Sequence, residues 1–304
     1  MSEHGFSTQS FSGAGPRPLV EPGAKLGIIG GHGQMGRLFG RFFAERGFRV
    51  EAADLDTPRS NEEVAQWADL LLFAVPLHQT VEIIDQVVPH TRPGQLLMDL
   101  TSLKYLPVQA MLRSPAAVVG LHPMFGASIG GFEGQTVAAC PARVAPVDWA
   151  ALRGLLISAG MNVKECTPEH HDRMMSIIQV LFHMSTMMMG RVIRELNVDL
   201  TEMLDFASPS YRVELDLMGR IFAQDGALYS AISQMNPHTS SIIGLLREAL
   251  DAYEGWYANA DLEGFVEDFS RSSDYLGDFA AHAFSDSSLM LDLVVKRNRR
   301  NPRS

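Results

Sequence analysis

The stretch from Lys25 to Gly47 constrains the fold more than any other part of the chain. Leu26, Gly27, Ile28 and Ile29 make the short apolar run that a strand covered on both faces requires, and they lead without a break into Gly30 and Gly31. From Gln34 the apolar residues Met35, Leu38, Phe39, Phe42 and Phe43 recur at helical spacing, and Gly47 stands where a C-cap glycine would end the helix. Strand, glycine turn and helix in this order open a βαβ unit.

Further strands are predicted at 48–53, 70–75, 96–100 and 117–121, with helical segments between several of them. Such alternation implies a doubly wound parallel sheet, the α/β architecture of a Rossmann domain. Beyond Thr167 the pattern becomes helical throughout, so an all-α C-terminal domain is expected. At 304 residues the chain is long enough for two cores. The expected division is a flexible N-terminal arm over 1–23, a dinucleotide-binding domain over 24–166, a helical substrate-binding and dimerisation domain over 167–295, and a basic tail over 296–304. Met174, Ile177, Ile178, Leu181, Met184 and Met188 form a stripe on one long helix, read here as core.

Gly31, Gly33 and Gly36 form a G-x-G-x-x-G pattern in the right context. The first glycine permits the turn, the second lets backbone approach a pyrophosphate, and the third lets helix and strand pack closely. Asp54 at the end of the second strand is placed to accept hydrogen bonds from the adenosine ribose hydroxyls, which favours NAD over NADP, although Arg59 follows shortly after. The expected cofactor contacts are Gly31, His32, Gly33, Gln34, Met35, Gly36, Asp54, Val75 and Pro76, the last two at the end of the third strand.

Catalytic groups are expected at the ends of later strands. Asp99-Leu100-Thr101-Ser102-Leu103-Lys104 brings a hydroxyl and an ammonium to the sheet edge. His122 follows the fifth strand, and Pro123 restricts it to extended backbone. A histidine there suits proton transfer near neutrality. In the helical region Gln179 and His183 share a face, and Arg212, Asp216 and Arg220 are also spaced by four. That ladder reads either as a surface ion-pair row or as a pair of guanidinium groups for a dianionic substrate.

Other classes are excluded by composition. A formal charge of −10 repels nucleic acid, the two cysteines are too few for a disulfide framework or a cysteine-rich zinc site, and no metal site is expected. No apolar run of the length a membrane span needs is expected, nor is a leader sequence, so the chain is read as cytoplasmic.

The motifs Gly30-Gly31-His32-Gly33-Gln34-Met35-Gly36-Arg37, Gly120 to Gly126, Ser208-Pro209-Ser210-Tyr211-Arg212-Val213-Glu214-Leu215 and Gly219-Arg220-Ile221-Phe222-Ala223-Gln224-Asp225 resemble those of the prephenate dehydrogenase family, in particular the dehydrogenase half of the fused enteric enzymes. The resemblance runs from about Lys25 to about Asp278. It implies NAD-linked hydride removal from ring C4 of a cyclohexadiene dicarboxylate, with loss of carbon dioxide and aromatisation. It further implies that His122 takes the C4 hydroxyl proton, that Arg220 holds the ring carboxylate, and that Ser102 and Lys104 support the histidine and the bound substrate. His183 matches a second active-site histidine, Arg212 and Gln179 join the substrate-binding set, and a homodimer forms through the helical domain.

Departures from the enteric pattern are Phe182, where a basic residue is expected beside His183, and the expectation that no chorismate mutase domain precedes and no regulatory domain follows. The substrate reading therefore stays open between prephenate and 4-amino-4-deoxyprephenate, with arogenate third. A beta-hydroxyacid dehydrogenase is a rival of similar outline, but the expected lysine on the first long C-terminal helix is missing. A non-enzymatic NAD sensor would leave His122, His183 and Arg220 without a joint purpose.

Overall fold

In the computed structural model, which describes residues 18–300, the first strand β1 (Lys25–Ile29) is buried from Leu26 onward and runs into helix α1 (Gln34–Ala44). The chain continues through β2 (Arg49–Ala53), α2 (Asn61–Trp67), β3 (Leu70–Phe73), α3 (Leu77–Val87), β4 (Leu96–Asp99), α4 (Tyr105–Met111) and β5 (Ala117–Pro123). It then adds β6 (Thr136–Arg143), α5 (Pro146–Ser158) and β7 (Asn162–Glu165). The seven strands order as β2-β1-β3-β4-β5-β6-β7. The order reverses at β1, so β1 and β3 flank the switch point where such sheets bind ligands outside the strand C-termini.

Register brings those C-termini level: Ile29 pairs with Ala53 and Phe73, Phe73 with Asp99, and Asp99 with Gly120. Residues just beyond each strand therefore share one edge. Side chains on the two faces of the sheet enter two separate clusters. Ile28, Leu70, Leu72 and Met98 pack with the phenylalanines of α1, while Ile29, Leu71, Phe73 and Leu97 pack with α2, α3 and α4.

The expected all-parallel sheet is corrected at β6, which pairs antiparallel with β5 across a bulge at Val118 and Val119, while β7 pairs parallel with β6. Neither strand was foreseen. Pro141 in β6 argues against a strand interior and is tolerated beside the bulge. β7 is a polar edge with only Val163 partly buried.

Two compact units meet between His171 and Asp172, five residues beyond the expected boundary at 166. The expected arm is corrected at its end, since Val20 belongs to the core, Leu19 N–H donates to Asp148 Oδ1 at 2.6 Å and Gly23 N–H to Gly47 O at 2.8 Å. The rest of that arm, residues 1–17, lies outside the described residues, as does 301–304 of the expected tail.

The second unit is helical. α6 (Pro168–Met175) passes through a π-helical segment, Ser176–Leu181, into α7 (Phe182–Leu196). There follow α8 (Leu200–Asp205), α9 (Pro209–Phe222), α10 (Gly226–Met235), α11 (Thr239–Asn259), α12 (Leu262–Leu276) and α13 (Asp278–Arg300). The expected tail is thus helical as far as Arg300, and Arg297 bonds Asp216 at 3.3 Å.

The apolar stripe is corrected as well. Met175 and Val180 are buried, but Ile177, Ile178, Phe182, Met188, Val192 and Leu196 are exposed in the single chain. The run Pro168–Leu196 is also long and apolar enough, by length and composition, to cross a membrane, against the expectation of none. Its apolar residues are therefore a face the single chain leaves uncovered, which marks an interaction surface.

Candidate active site

The glycine turn after β1 is shaped for a phosphate. Gly30 takes φ of +80°, a conformation that favours glycine, and a Cβ there would lie 2.7 Å from the Ala74 carbonyl. A Cβ on Gly31 would meet Ala52 Cβ at 2.4 Å, and one on Gly36 would meet Gly30 O at 2.4 Å, so both positions exist for close packing of turn, strand and helix. Gly33 is the N-cap of α1, where no side chain caps the helix and no acid stands in the first turn. The free N–H groups of that end, including those of Gln34 and Met35, are left for an anion. The Met35 side chain is partly buried and packs against the core.

A cavity of about 650 Å³ opens over this turn, lined by Gly30, His32, Gly33, Asp54, Val75 and Pro76 among others. Asp54 Oδ2 accepts the backbone N–H of His32 at 2.8 Å, and His32 Nδ1 lies 2.8 Å from Asp56 Oδ1. Arg59, the residue that favours a 2′-phosphate, is held by Glu51 at 2.5 Å. The uncapped helix, the glycines that admit backbone and the acid at the end of β2 fit a dinucleotide with a free ribose.

Beneath the next edge lies an ionic centre. Lys104 and Asp99 are wholly buried and paired, and Lys104 Nζ also donates to Leu121 O at 2.7 Å. Gly120 makes room for this, because a Cβ there would meet Lys104 Cδ at 3.1 Å. The Asp99 oxygen Oδ2 accepts the N–H of Thr101 at 3.0 Å, whereas Oδ1 has no partner. Lys104 is wholly buried and holds the carbonyl of the strand residue preceding His122. Ser102 is partly exposed in the turn after β4.

His122 sits near the end of β5 with only 4% of its surface exposed. Its Nδ1 lies 2.9 Å from Nε2 of His171, which is buried at 1%. Burial first, and then electrostatic interaction with His171 and with Lys104, hold the His122 imidazole well below the usual histidine value. It is therefore a neutral imidazole at physiological pH. His171 was not singled out from sequence; the only signal was the His170-His171-Asp172 run following Pro168.

In the second unit Gln179 lies within the π-helical segment and His183 just after it, so the expected regular face is interrupted. π-segments of this kind are frequent at functional sites. Among the described residues Gln179 Oε1 and His183 Nδ1, both buried, have no hydrogen-bond partner, which leaves two unmet polar groups on this stretch. Burial lowers the pKa of His183, whose ring meets Tyr229 edge-on with centroids 4.8 Å apart. Tyr229, buried and under the field of Arg220, is a second residue that spacing arguments missed. The arginine ladder divides. Arg212 pairs with Asp216 at 3.1 Å, and Asp216 also takes Arg297, while Arg220 is exposed with no side-chain partner among the described residues.

No cluster of metal-ligating groups occurs among the described residues. The two cysteines are not joined in a disulfide, and their sulfurs lie 3.8 Å apart.

Two family models match the chain: residues 41–152 match the prephenate dehydrogenase nucleotide-binding domain, and 167–271 its dimerization domain. The T-protein of Haemophilus influenzae is 33% identical over 88% of this chain and 71% of its own length. The 4-amino-4-deoxyprephenate dehydrogenase of Streptomyces pristinaespiralis is 29% identical, covering 84% of this chain and 92% of its own. Among solved structures, prephenate dehydrogenase of Aquifex aeolicus, in complex with hydroxyphenyl propionate and NAD+, superposes with a TM-score of 0.67. It covers 83% of this chain and 96% of that one at 18% identity, a likeness of fold.

Proposed function

Because the chain belongs to the prephenate dehydrogenase family and is an NAD-dependent oxidoreductase, we propose that it converts prephenate to 4-hydroxyphenylpyruvate by oxidative decarboxylation. The observation that carries this reading is His122, a buried neutral imidazole at the sheet edge whose Nε2 has no hydrogen-bond partner among the described residues. NAD, when bound, accepts the hydride released from ring C4.

His122 Nε2 takes the C4 hydroxyl proton as the carbonyl forms. Loss of the ring carboxylate as carbon dioxide aromatises the ring, and the same imidazolium returns its proton to the phenolate oxygen. The proton balance closes inside the site. Lys104 acts through the Leu121 carbonyl to hold His122 in place, and Ser102 is assigned to the same turn. Arg220, a cation without a carboxylate of its own, holds the ring carboxylate, and Gln179, His183 and Arg212 complete the substrate set.

A second reading keeps the chemistry and changes C4 from a hydroxyl to an amine. It rests on Phe182, which puts an apolar ring beside His183, and on the relative from Streptomyces pristinaespiralis, whose name specifies the amino substrate. Hydride loss from the amine leaves an iminium, and His122 then serves as a hydrogen-bond partner.

A homodimer is proposed to cover the exposed faces of α7 and its neighbours, in the region matched by the dimerization model. Two neighbouring cysteines in the reduced form fit a reducing compartment, and the cytoplasm is proposed.

The two substrate readings separate in one tube. Purified protein with NAD and an equimolar mixture of prephenate and 4-amino-4-deoxyprephenate is analysed by mass spectrometry. Early excess of 4-hydroxyphenylpyruvate supports the first reading, and early excess of 4-aminophenylpyruvate replaces it with the second.

A further inference from the structure

Among the described residues no carboxylate, the group that usually orients a catalytic histidine, bonds the proposed base. Asp99, the acid of the neighbouring strand, is spent on Lys104 and the Thr101 backbone. Among the described residues the single hydrogen-bond partner of the His122 ring is His171, with rings 5.1 Å apart and inclined by 70°. Edge-on packing at that inclination brings one ring nitrogen of each residue together.

The placement of His171 is well fixed. It lies in the first turn of α6, where its N–H donates to Thr167 O at 2.9 Å and the Thr167 hydroxyl oxygen accepts the N–H of His170 at 3.2 Å. Just upstream, the Cys166 N–H donates to Ala139 O at 3.0 Å, tying the entry of the helix to β6. The neighbouring β5 carries His122 itself. Helix entry and base are therefore anchored to adjacent strands.

Two ring nitrogens 2.9 Å apart share one proton in their hydrogen bond, and its owner decides what His122 can do. If His171 donates, His122 carries its own proton on Nε2 and presents a donor to the substrate, which cannot accept the C4 proton. If His122 donates, Nε2 presents a lone pair. Resting on the functional reading above, we propose that His171 is a positioning residue that accepts the Nδ1–H of His122 and so fixes the tautomer in which Nε2 is the base.

An imidazole suits this reaction as the orienting group better than a carboxylate does. A carboxylate raises the basicity of the imidazole it holds, whereas here the proton must go back to the phenolate within the same turnover. His171 accepts a hydrogen bond from the transient imidazolium without trapping the proton there. No exit path to solvent is required of it.

The test uses the full chain labelled with 15N-histidine, together with His171→Leu and His171→Gln. A glutamine carbonyl oxygen reaches about as far as Nε2 and can only accept from the His122 Nδ1–H. In the unmodified protein without substrate, NMR at neutral pH is expected to give a protonated Nδ1 and an unprotonated Nε2 for His122. That assignment is retained in the Gln variant and lost or mixed in the Leu variant.

Turnover is expected to fall about 10²- to 10⁴-fold in His171→Leu, the range that follows loss of the correct tautomer, with KM for substrate and Kd for NAD little changed. The Gln variant recovers to within about tenfold of the parent. A parent protein with Nε2 of His122 protonated overturns the proposal, as does a Leu variant with parental kcat or a Gln variant as slow as Leu. If His171→Leu fails to fold, as judged by NAD binding, the parent spectrum and the Gln variant still decide. Absence of turnover by the parent on either substrate counts against the functional reading, while the tautomer assignment stands or falls separately.

Discussion

The carboxylate of Asp54 accepts the backbone N–H of His32 at 2.8 Å, which locks the acid at the end of β2 against the glycine turn after β1. In the proposed cofactor site the ribose edge would meet the Asp54 carboxylate held by this bond, and the nearby Arg59 is tied to Glu51. Asp54→Ser removes the charge and the ribose hydrogen bond. A hydrogen bond to a charged group is worth about 1.5–3 kcal/mol, so kcat/KM for NAD should fall about 10- to 100-fold while that for NADP rises. Unchanged NAD preference would reassign the ribose contact.

Gly36 tests the turn itself. A methyl there would sit 2.4 Å from Gly30 O and 2.9 Å from Gly31 Cα, both backbone atoms that cannot move aside cheaply. Gly36→Ala is expected to weaken NAD binding by at least about tenfold, read by quenching of intrinsic fluorescence, because the turn must open for the helix to remain in place.

The protonation state of His122 predicts the pH profile. Its pKa is held low by burial, then by His171 and Lys104, so the folded protein keeps the imidazole neutral below the ordinary value of about 6.5. The acid limb of kcat/KM should therefore lie below about pH 6.5. The sign for stability follows: below about 6.5 the unfolded chain binds a proton that the folded chain refuses, so this residue costs stability as pH falls towards its folded pKa. His122→Asn should remove that dependence and lower turnover by about 10²- to 10⁴-fold, leaving NAD binding intact.

Lys104 and Asp99 form a wholly buried ion pair. Removing one partner strands the other, and Lys104→Met is expected to destabilise the folded chain by about 3–5 kcal/mol in urea unfolding. Lys104→Met combined with Asp99→Leu should recover most of that loss in stability. It should not restore turnover, because the Leu121 carbonyl that Lys104 holds is still released.

The dinucleotide half of the site was legible because its physics is local. A buried strand, glycines at fixed offsets and an acid closing the next strand all lie within one βαβ unit, and each constrains the backbone directly. The position of His122 at the strand end was legible for a similar reason, since Pro123 restricts the backbone there. His171 was not, because its meaning comes from a contact between residues 49 positions apart. Strands β6 and β7 escaped through Pro141, an alanine-rich run and a polar edge. The stripe including Ile177 and Met188 was misread as core because periodicity reports that a face is apolar without saying what covers it. Lys104 was placed at the sheet edge by sequence order, but its side chain turns inward to a carboxylate five residues upstream.

The most direct test of the central claim is the rise in absorbance at 340 nm when purified protein meets NAD and prephenate, or NAD and 4-amino-4-deoxyprephenate. An NAD-dependent rise with at least one of them, matched mole for mole by released carbon dioxide and lost in His122→Asn, is the predicted result. No NADH from either substrate, from protein that binds NAD, would contradict the assignment of a prephenate-type oxidative decarboxylation.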